Sequence, residues 1–195
     1  MEFQDVVRKR KMVRSFEARP IPPEVLERVL ANARRAPSAG HSQGWAFLVL
    51  EGKDETGRFW DAVNPDRKGG WPHLFSAPLI VVCLSDKETY LRRYAEPDKG
   101  WTDMDERRWE VPYWDIDTAM AAMLILLTAV DAGLGALFFG LGDRHDAFHD
   151  AFGVPREMRA IGAIALGYAK PRDRPSPSLR RGRRPAEAVV HRGHW

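Results

Sequence analysis

Cationic side chains gather at the two ends of this 195-residue chain: Arg10, Lys11 and Arg14 near the start, and Arg180, Arg181, Arg183 and Arg184 near the finish. Guanidinium forks meet phosphate oxygens with paired, charge-assisted hydrogen bonds, so these residue types suit a phosphorylated ligand. Residues 170–195 hold eight Lys/Arg against two Asp/Glu, a net charge of +6 within a total of +3, and the preceding 169 residues therefore sum to −3. A basic tail can serve a nucleic acid, an anionic surface or a small phosphate, and without further pattern it is a solvated face. No helix-turn-helix or RNA-binding signature accompanies the charge, which argues against a nucleic-acid partner.

Other residues that invite chemistry lack its full pattern. Gly140-Leu141-Gly142 begins like a dinucleotide-binding turn, but His145 stands where the third glycine of G-x-G-x-x-G belongs. His145 and His149 have the i, i+4 spacing of a zinc helix. Asp146 replaces the usual Glu, however, and no downstream third ligand follows, so they read as histidines on a solvated helix with no metal. Ser38 and Ser42 sit in no G-x-S-x-G frame, and His41 is too near them in sequence to indicate a hydrolase triad. No side chain stands out as a catalytic nucleophile.

The composition, 44% apolar and 29% charged, is that of a globular chain able to bury a core without disulfide or metal staples. No uninterrupted apolar run reaches about 18 residues, and the opening residues lack the charged-then-apolar order of a signal peptide. These features lead to the expectation of a cytoplasmic protein without a membrane span. The one cysteine, Cys83, lies in Leu79-Ile80-Val81-Val82-Cys83-Leu84 and reads as an inert thiol in a buried strand.

The elements that must position these residues follow from periodicity and punctuation. Helices are predicted over about 2–10, where Phe3, Val6 and Val7 form a stripe, and after Pro20-Ile21-Pro22-Pro23, where Val25, Leu26, Val29, Leu30 and Ala33 fall at helical spacing. Residues 37–44 form a loop that feeds a strand from Trp45 to Leu50. A polar, Gly-rich passage at 51–72 precedes the central strand at 79–84, and the segment 86–114 is charged and irregular. A helix capped by Asp115 or Asp117 is apolar on every face from Ala119 to Val130 and ends at Gly133, a pattern that suits a helix partly held in a subunit interface. Then come a strand at 136–139, a helix capped by Asp143 running to Phe152, and a last core strand at 161–166. One domain over 1–195 is expected, with 170–195 an extended basic arm that order must reach through docking.

The wording and order of these pieces resemble the FMN-dependent nitroreductase family along nearly the whole chain. Arg10-Lys11-Met12-Val13-Arg14-Ser15-Phe16 resembles the opening R-R-S-V-R-x-F. Ala36-Pro37-Ser38-Ala39-Gly40-His41-Ser42-Gln43-Gly44-Trp45 resembles A-P-S-x-x-N-x-Q-P-W. The segment Arg181 to Val190 resembles the closing K-x-R-x-P-x-E-x-V-x, and Phe138-Phe139-Gly140 with Gly153-Val154-Pro155 falls where the family has its flavin-facing strand end and its G-x-P turn.

The resemblance implies an α+β fold, a mostly antiparallel central sheet flanked by helices, in an intertwined homodimer with two FMN sites at the interface. It implies that Arg10, Lys11, Met12, Arg14, Pro37, Ser38, His41, Phe139, Gly140, Arg181 and Arg183 hold the cofactor. Arg10, Arg181 and Arg183 match the phosphate-binding positions. Arg14 matches the cation beside flavin N1, where negative charge gathers on reduction, and the amide of Phe139 or Gly140 matches the donor to N5. Ser38 and His41 match a loop along the flavin edge, often from the opposite subunit. Met12, His41 and Gly44 depart from the usual Ser, Asn and Pro, and Met12 cannot donate as a hydroxyl does.

The implied activity passes a hydride from NADH or NADPH through the flavin to a nitroaromatic, quinone or similar electron-poor acceptor. A reductive dehalogenase or a flavin-fragmenting enzyme is the alternative on the same fold, and a nucleic-acid-binding protein the alternative of another class. Trp101, Trp109, Tyr113 and Trp114 read either as a substrate-facing lid or as packing in the dimer surface.

Overall fold

A computed structural model describes residues 1–195. Its centre is a sheet of four antiparallel strands, β1 (Trp45–Glu51), β2 (Leu79–Asp86), β3 (Gly135–Phe139) and β4 (Met158–Gly167), in the order β1-β2-β4-β3. Six helices surround it: α1 (Phe3–Lys9), α2 (Pro23–Ala33), α3 (Gly52–Val63), α4 (Lys87–Ala95), α5 (Tyr113–Asp131) and α6 (His145–Phe152).

The unbroken apolar run of β2 follows from burial on both faces. Ile80, Val82 and Leu84 point into one apolar cluster together with Phe59, Trp60 and Phe148 from α3 and α6. Leu79, Val81 and Cys83 point into a second with Leu26 and Val29 of α2 and Ile125, Leu126 and Ala129 of α5. Alternation along the strand thus feeds two cores at once, and each fully buried aliphatic side chain contributes about 1.5–3 kcal/mol. Strand β4 carries an extra residue: Leu84 pairs with Ala160 while Cys83 pairs with Gly162, so Ile161 is bulged out. Gly162 is required there because a Cβ would come within 2.5 Å of the Phe138 ring.

Helix α5 is long and apolar enough to cross a membrane by length and composition, yet its buried residues pack on the sheet and on α2. Asn32 reaches from α2 to donate to Thr128 Oγ1 at 3.0 Å. The N-terminal strip and the start of the C-terminal arm are laced together beside the sheet. Val13 N donates to Ala136 O, Glu17 N to Tyr168 O and Lys170 N to Ser15 O.

Several elements differ from the sequence reading. Residues 52–63, within the passage read only as polar and Gly-rich, form α3, whose one buried face is Thr56, Phe59 and Trp60. Residues 87–95, taken as irregular, form α4, capped by Asp86, which accepts from Thr89 N. Helix α5 begins at Tyr113 behind Pro112, so neither Asp115 nor Asp117 caps it; Asp117 lies inside the helix and is buried. Asp143 does not cap α6 either: Arg144 takes that position without a side-chain bond.

Candidate functional site

Arg14 is placed by the lacing just described. Its amide donates to Asp173 Oδ1 at 2.8 Å, and its guanidinium donates to Met12 O at 3.3 Å while lying over the Trp71 ring, 5.1 Å from the centroid. A strip pinned to β3 on one side and to the arm on the other can hold a long side chain in one direction.

The guanidinium opens on a cavity of about 450 Å3 lined by Arg14, Trp60, Asn64, Lys68, Trp71 and the turn from Leu137 to Asp143. That volume lies in the range of small-molecule sites. Phe139 ends β3, with its ring stacked on Trp60 at 5.2 Å and an interplanar angle of 15°. Gly140, next in the chain, is exposed, and a Cβ there would meet nothing within 4 Å. Backbone is therefore bare at the point where a flat ligand would approach it. Trp60, only 3% exposed, leaves its indole Nε1 without a partner. A buried donor without a partner is uncommon in a folded chain, and this one belongs to a residue of the cavity wall.

These features fit a flavin: a cation for the charge gathered on reduction, a bare turn for N5, and aromatic and polar walls for the ring. Sequence reasoning did not single out Trp60, Asn64, Lys68 or Trp71. The signal available was the interleaving of tryptophan with Asn and Lys in the polar passage 60–71.

The other sequence-derived residues do not line this cavity. Arg10 and Met12 are half-buried and Lys11 is exposed at the end of the N-terminal strip. Arg181 and Arg183 are exposed on the arm, Arg181 at the end of a short 3-10 turn, Pro177–Arg181, and Arg183 just after it. Pro37, Ser38 and His41 lie at the N-terminal end of α5, where Ala39 N donates to Asp117. One chain therefore does not bring Ser38 and His41 to the cavity of Arg14.

Trp101, Trp109, Tyr113 and Trp114 form an aromatic cluster with Tyr90 and Tyr94. Trp109 is at its centre, 4.4 Å from Tyr94 and 5.5–5.9 Å from the other rings. Trp109 and Trp114 line a separate cavity of about 480 Å3 with Ser85 and Arg159. A groove of about 970 Å3 shares Arg159 with that cavity, and Phe138 and Gly140 to Gly142 with the cavity of Arg14. His145 and His149 border this groove, and His149 Nδ1 is 3.1 Å from Val154 O, which ties the end of α6 to the Gly153-Val154-Pro155 turn.

Burial and the Asp117 bond push the Tyr90 phenol above its ordinary range, so it keeps its proton. Burial pushes the Cys83 thiol up to about 12. A thiol held protonated is a poor nucleophile.

Comparison with known proteins agrees with the fold. A relative in Archaeoglobus fulgidus whose name joins NADH dehydrogenase and NAD(P)H nitroreductase is 28% identical over 166 residues, 83% of this chain and 82% of that protein. Iodotyrosine deiodinase 1 of Mus musculus is 21% identical over 191 residues, 92% of this chain and 66% of that protein. Among solved structures, an FMN-dependent nitroreductase from Clostridium difficile R20291 matches with a TM-score of 0.71 at 22% identity, over 97% of this chain and 98% of that one, which shows the fold. The sequence pattern of the Nitroreductase family matches residues 7–168, a span that includes Arg14, the whole sheet and the Phe139–Gly140 turn, and the chain accordingly belongs to the nitroreductase family of oxidoreductases.

Proposed function

We propose that this oxidoreductase binds FMN and passes a hydride from NADH or NADPH to an electron-poor acceptor such as a nitroaromatic or a quinone. The observation that carries the reading is the placement of Arg14 and the bare Phe139–Gly140 turn in the wall of one cavity. Bound FMN would supply an atom, N5, that accepts a hydride and gives it up again. The chain's own contribution is position and charge. Arg14 would offset the negative charge that accumulates at N1, the Phe139 or Gly140 amide would donate at N5, and Trp60, Asn64 and Trp71 would fix the ring and exclude water. Arg10, Lys11, Arg181 and Arg183 would supply cations for the phosphate, and no side chain need act as a nucleophile.

A second copy of the chain would complete the site. Three features favour a homodimer. Met120 and Met123 are exposed, at 42% and 45%, on the face of α5 opposite the residues it buries. Leu179, Val189 and Val190 are exposed on the arm. The Ser38–His41 loop lies away from the cavity of its own chain. Exposed apolar side chains of this kind gain from cover, and an isologous contact would supply it.

Purified protein incubated with excess FMN and then desalted should keep the visible absorbance bands of a flavin, and should reduce a nitroaromatic with NADH or NADPH. Loss of all flavin absorbance on desalting would overturn the reading. The similarity to iodotyrosine deiodinase favours a second acceptor class, halogenated phenols. Turnover of a nitroaromatic with none of a halogenated phenol would decide for the first.

A further inference from the structure

The Pro37–Gln43 loop is held in backbone geometry that it would not adopt alone. Gly40, His41 and Gln43 have φ of 59°, 57° and 54°, and two of these three residues carry side chains. Positive φ at such residues persists only where the surroundings over-determine it, and such sites concentrate at ligand clamps.

The surroundings are specific. Asp117, 3% exposed, accepts from Ala39 N at 2.8 Å, and the same oxygen, Oδ2, accepts from the Tyr90 phenol at 2.8 Å. Arg93 Nε donates to Gly40 O at 2.9 Å, and its two terminal nitrogens are locked on Asp98. Gly40 lies so close to Tyr94, and Gly44 to Tyr90, that an added Cβ would stand 2.7 Å and 2.5 Å from those rings. Ser38 Oγ closes the loop from inside by accepting from Gln43 N at 3.0 Å.

A carboxylate buried without an ion-pair partner is costly, and packing alone would not select one. Asp117 spends its bonds on one loop amide and one phenol. The phenol, itself fully buried, orients the carboxylate, and the carboxylate then fixes the amide. Tyr90 and Tyr94 also pack on Trp109, so the aromatic cluster and the loop lean on the same two rings.

We infer that Asp117, oriented by Tyr90, is a positioning residue that sets the shape in which the Ser38–His41 loop meets the flavin. The inference rests on the FMN and homodimer readings above, in which the loop of one chain meets the flavin of its partner, because it does not line the cavity of its own chain. Asp117 touches no cofactor in this scheme; it acts through Ala39.

The test compares FMN dissociation constants, read by quenching of flavin fluorescence, with the thermal midpoint of each apo variant. Asp117→Ala should weaken FMN binding by about tenfold or more, since the half-buried Ala39 amide and the buried Tyr90 phenol both lose their acceptor. Asp117→Asn, which keeps a carbonyl oxygen for Ala39, should recover part of that loss. Tyr90→Phe keeps the ring and removes only the hydroxyl, and should weaken binding by roughly threefold to tenfold. It decides the matter if Asp117→Ala does not fold. Thr128→Val, which removes a hydrogen bond farther along α5, should lower the midpoint with FMN binding held within about twofold of wild type. Variants at Asp117 and Tyr90 that lose thermal stability yet bind FMN like wild type would overturn the inference alone. A wild-type protein that retains no FMN would overturn it together with the reading on which it rests.

Discussion

The Arg14 guanidinium is 5.1 Å from the centroid of the Trp71 ring, and no carboxylate pairs with it: the bond to Asp173 is made by the Arg14 amide. The positive charge is therefore aimed but not neutralised, as a group that answers charge developing in a ligand must be. Arg14→Ala should lower kcat/KM for the nitroaromatic by about tenfold to a hundredfold, a loss of roughly 1.4–2.7 kcal/mol. Arg14→Lys should fall between, because it keeps the charge and loses the planar stack. Trp71→Leu should cost a few-fold, in line with about 0.5–1 kcal/mol for a partly exposed cation–π contact. Steady-state kinetics of the three variants check the order.

Two glycines separate folding from binding. Gly135 lies against Val13, where a Cβ would come within 2.8 Å, whereas a Cβ at Gly140 meets nothing. Gly135→Ala should destabilise the protein by roughly 1–3 kcal/mol through overpacking. Gly140→Ala should leave stability within about 0.5 kcal/mol, as for a surface change, and weaken flavin binding. Denaturant midpoints and FMN titrations measure both. A stable Gly140→Ala with unchanged FMN affinity would argue against close approach of the ring to that turn.

The exposed pair Met120 and Met123 should be dispensable for the fold of one chain but not for association. The double substitution Met120→Glu, Met123→Glu would place charge on the proposed apolar contact, and should shift the mass seen by light scattering from that of two chains to that of one. Far-ultraviolet circular dichroism should be unchanged.

Stability should fall as pH rises through the alkaline range. Burial raises the Cys83 thiol from 9.0 to about 12, so between those values the unfolded chain has released a proton that the folded chain still holds. The folded state is then favoured less with each step upward in pH, and the contribution present below 9 is gone above about 12. Tyr90, also raised by burial, pulls in the same direction. Cys83→Ala should flatten the decline in urea-derived stability between pH 9 and 11, relative to wild type.

What the sequence revealed depended on how each segment buries itself. Strand β2 is apolar from Leu79 to Leu84 because protein covers both its faces, and the middle of helix α5, from Ala119 to Leu127, is apolar because most of it packs on the sheet and on α2; both were legible at once. Helices α3 and α4 were not. Each buries only two or three side chains, Thr56, Phe59 and Trp60 in one and Tyr90 and Leu91 in the other, and two glycines or a run of charges hides so narrow a stripe. The start of α5 misled for a different reason: Asp117 has the residue type of a cap but is bonded to a loop brought in from far along the chain.

For the site, local wording located Arg14, Phe139 and Gly140. Trp60 and Trp71 join them only because α3 and the turn after it fold back over the end of β3, a long-range contact with no local signature.

Cys83 has a practical corollary. It is the sole thiol in the chain and has no solvent exposure, so the native protein presents nothing to a maleimide or a spin label. A cysteine engineered anywhere on the surface would be a unique attachment point in each chain. Distances across the molecule, or between two copies of it, could then be measured without first removing a native thiol.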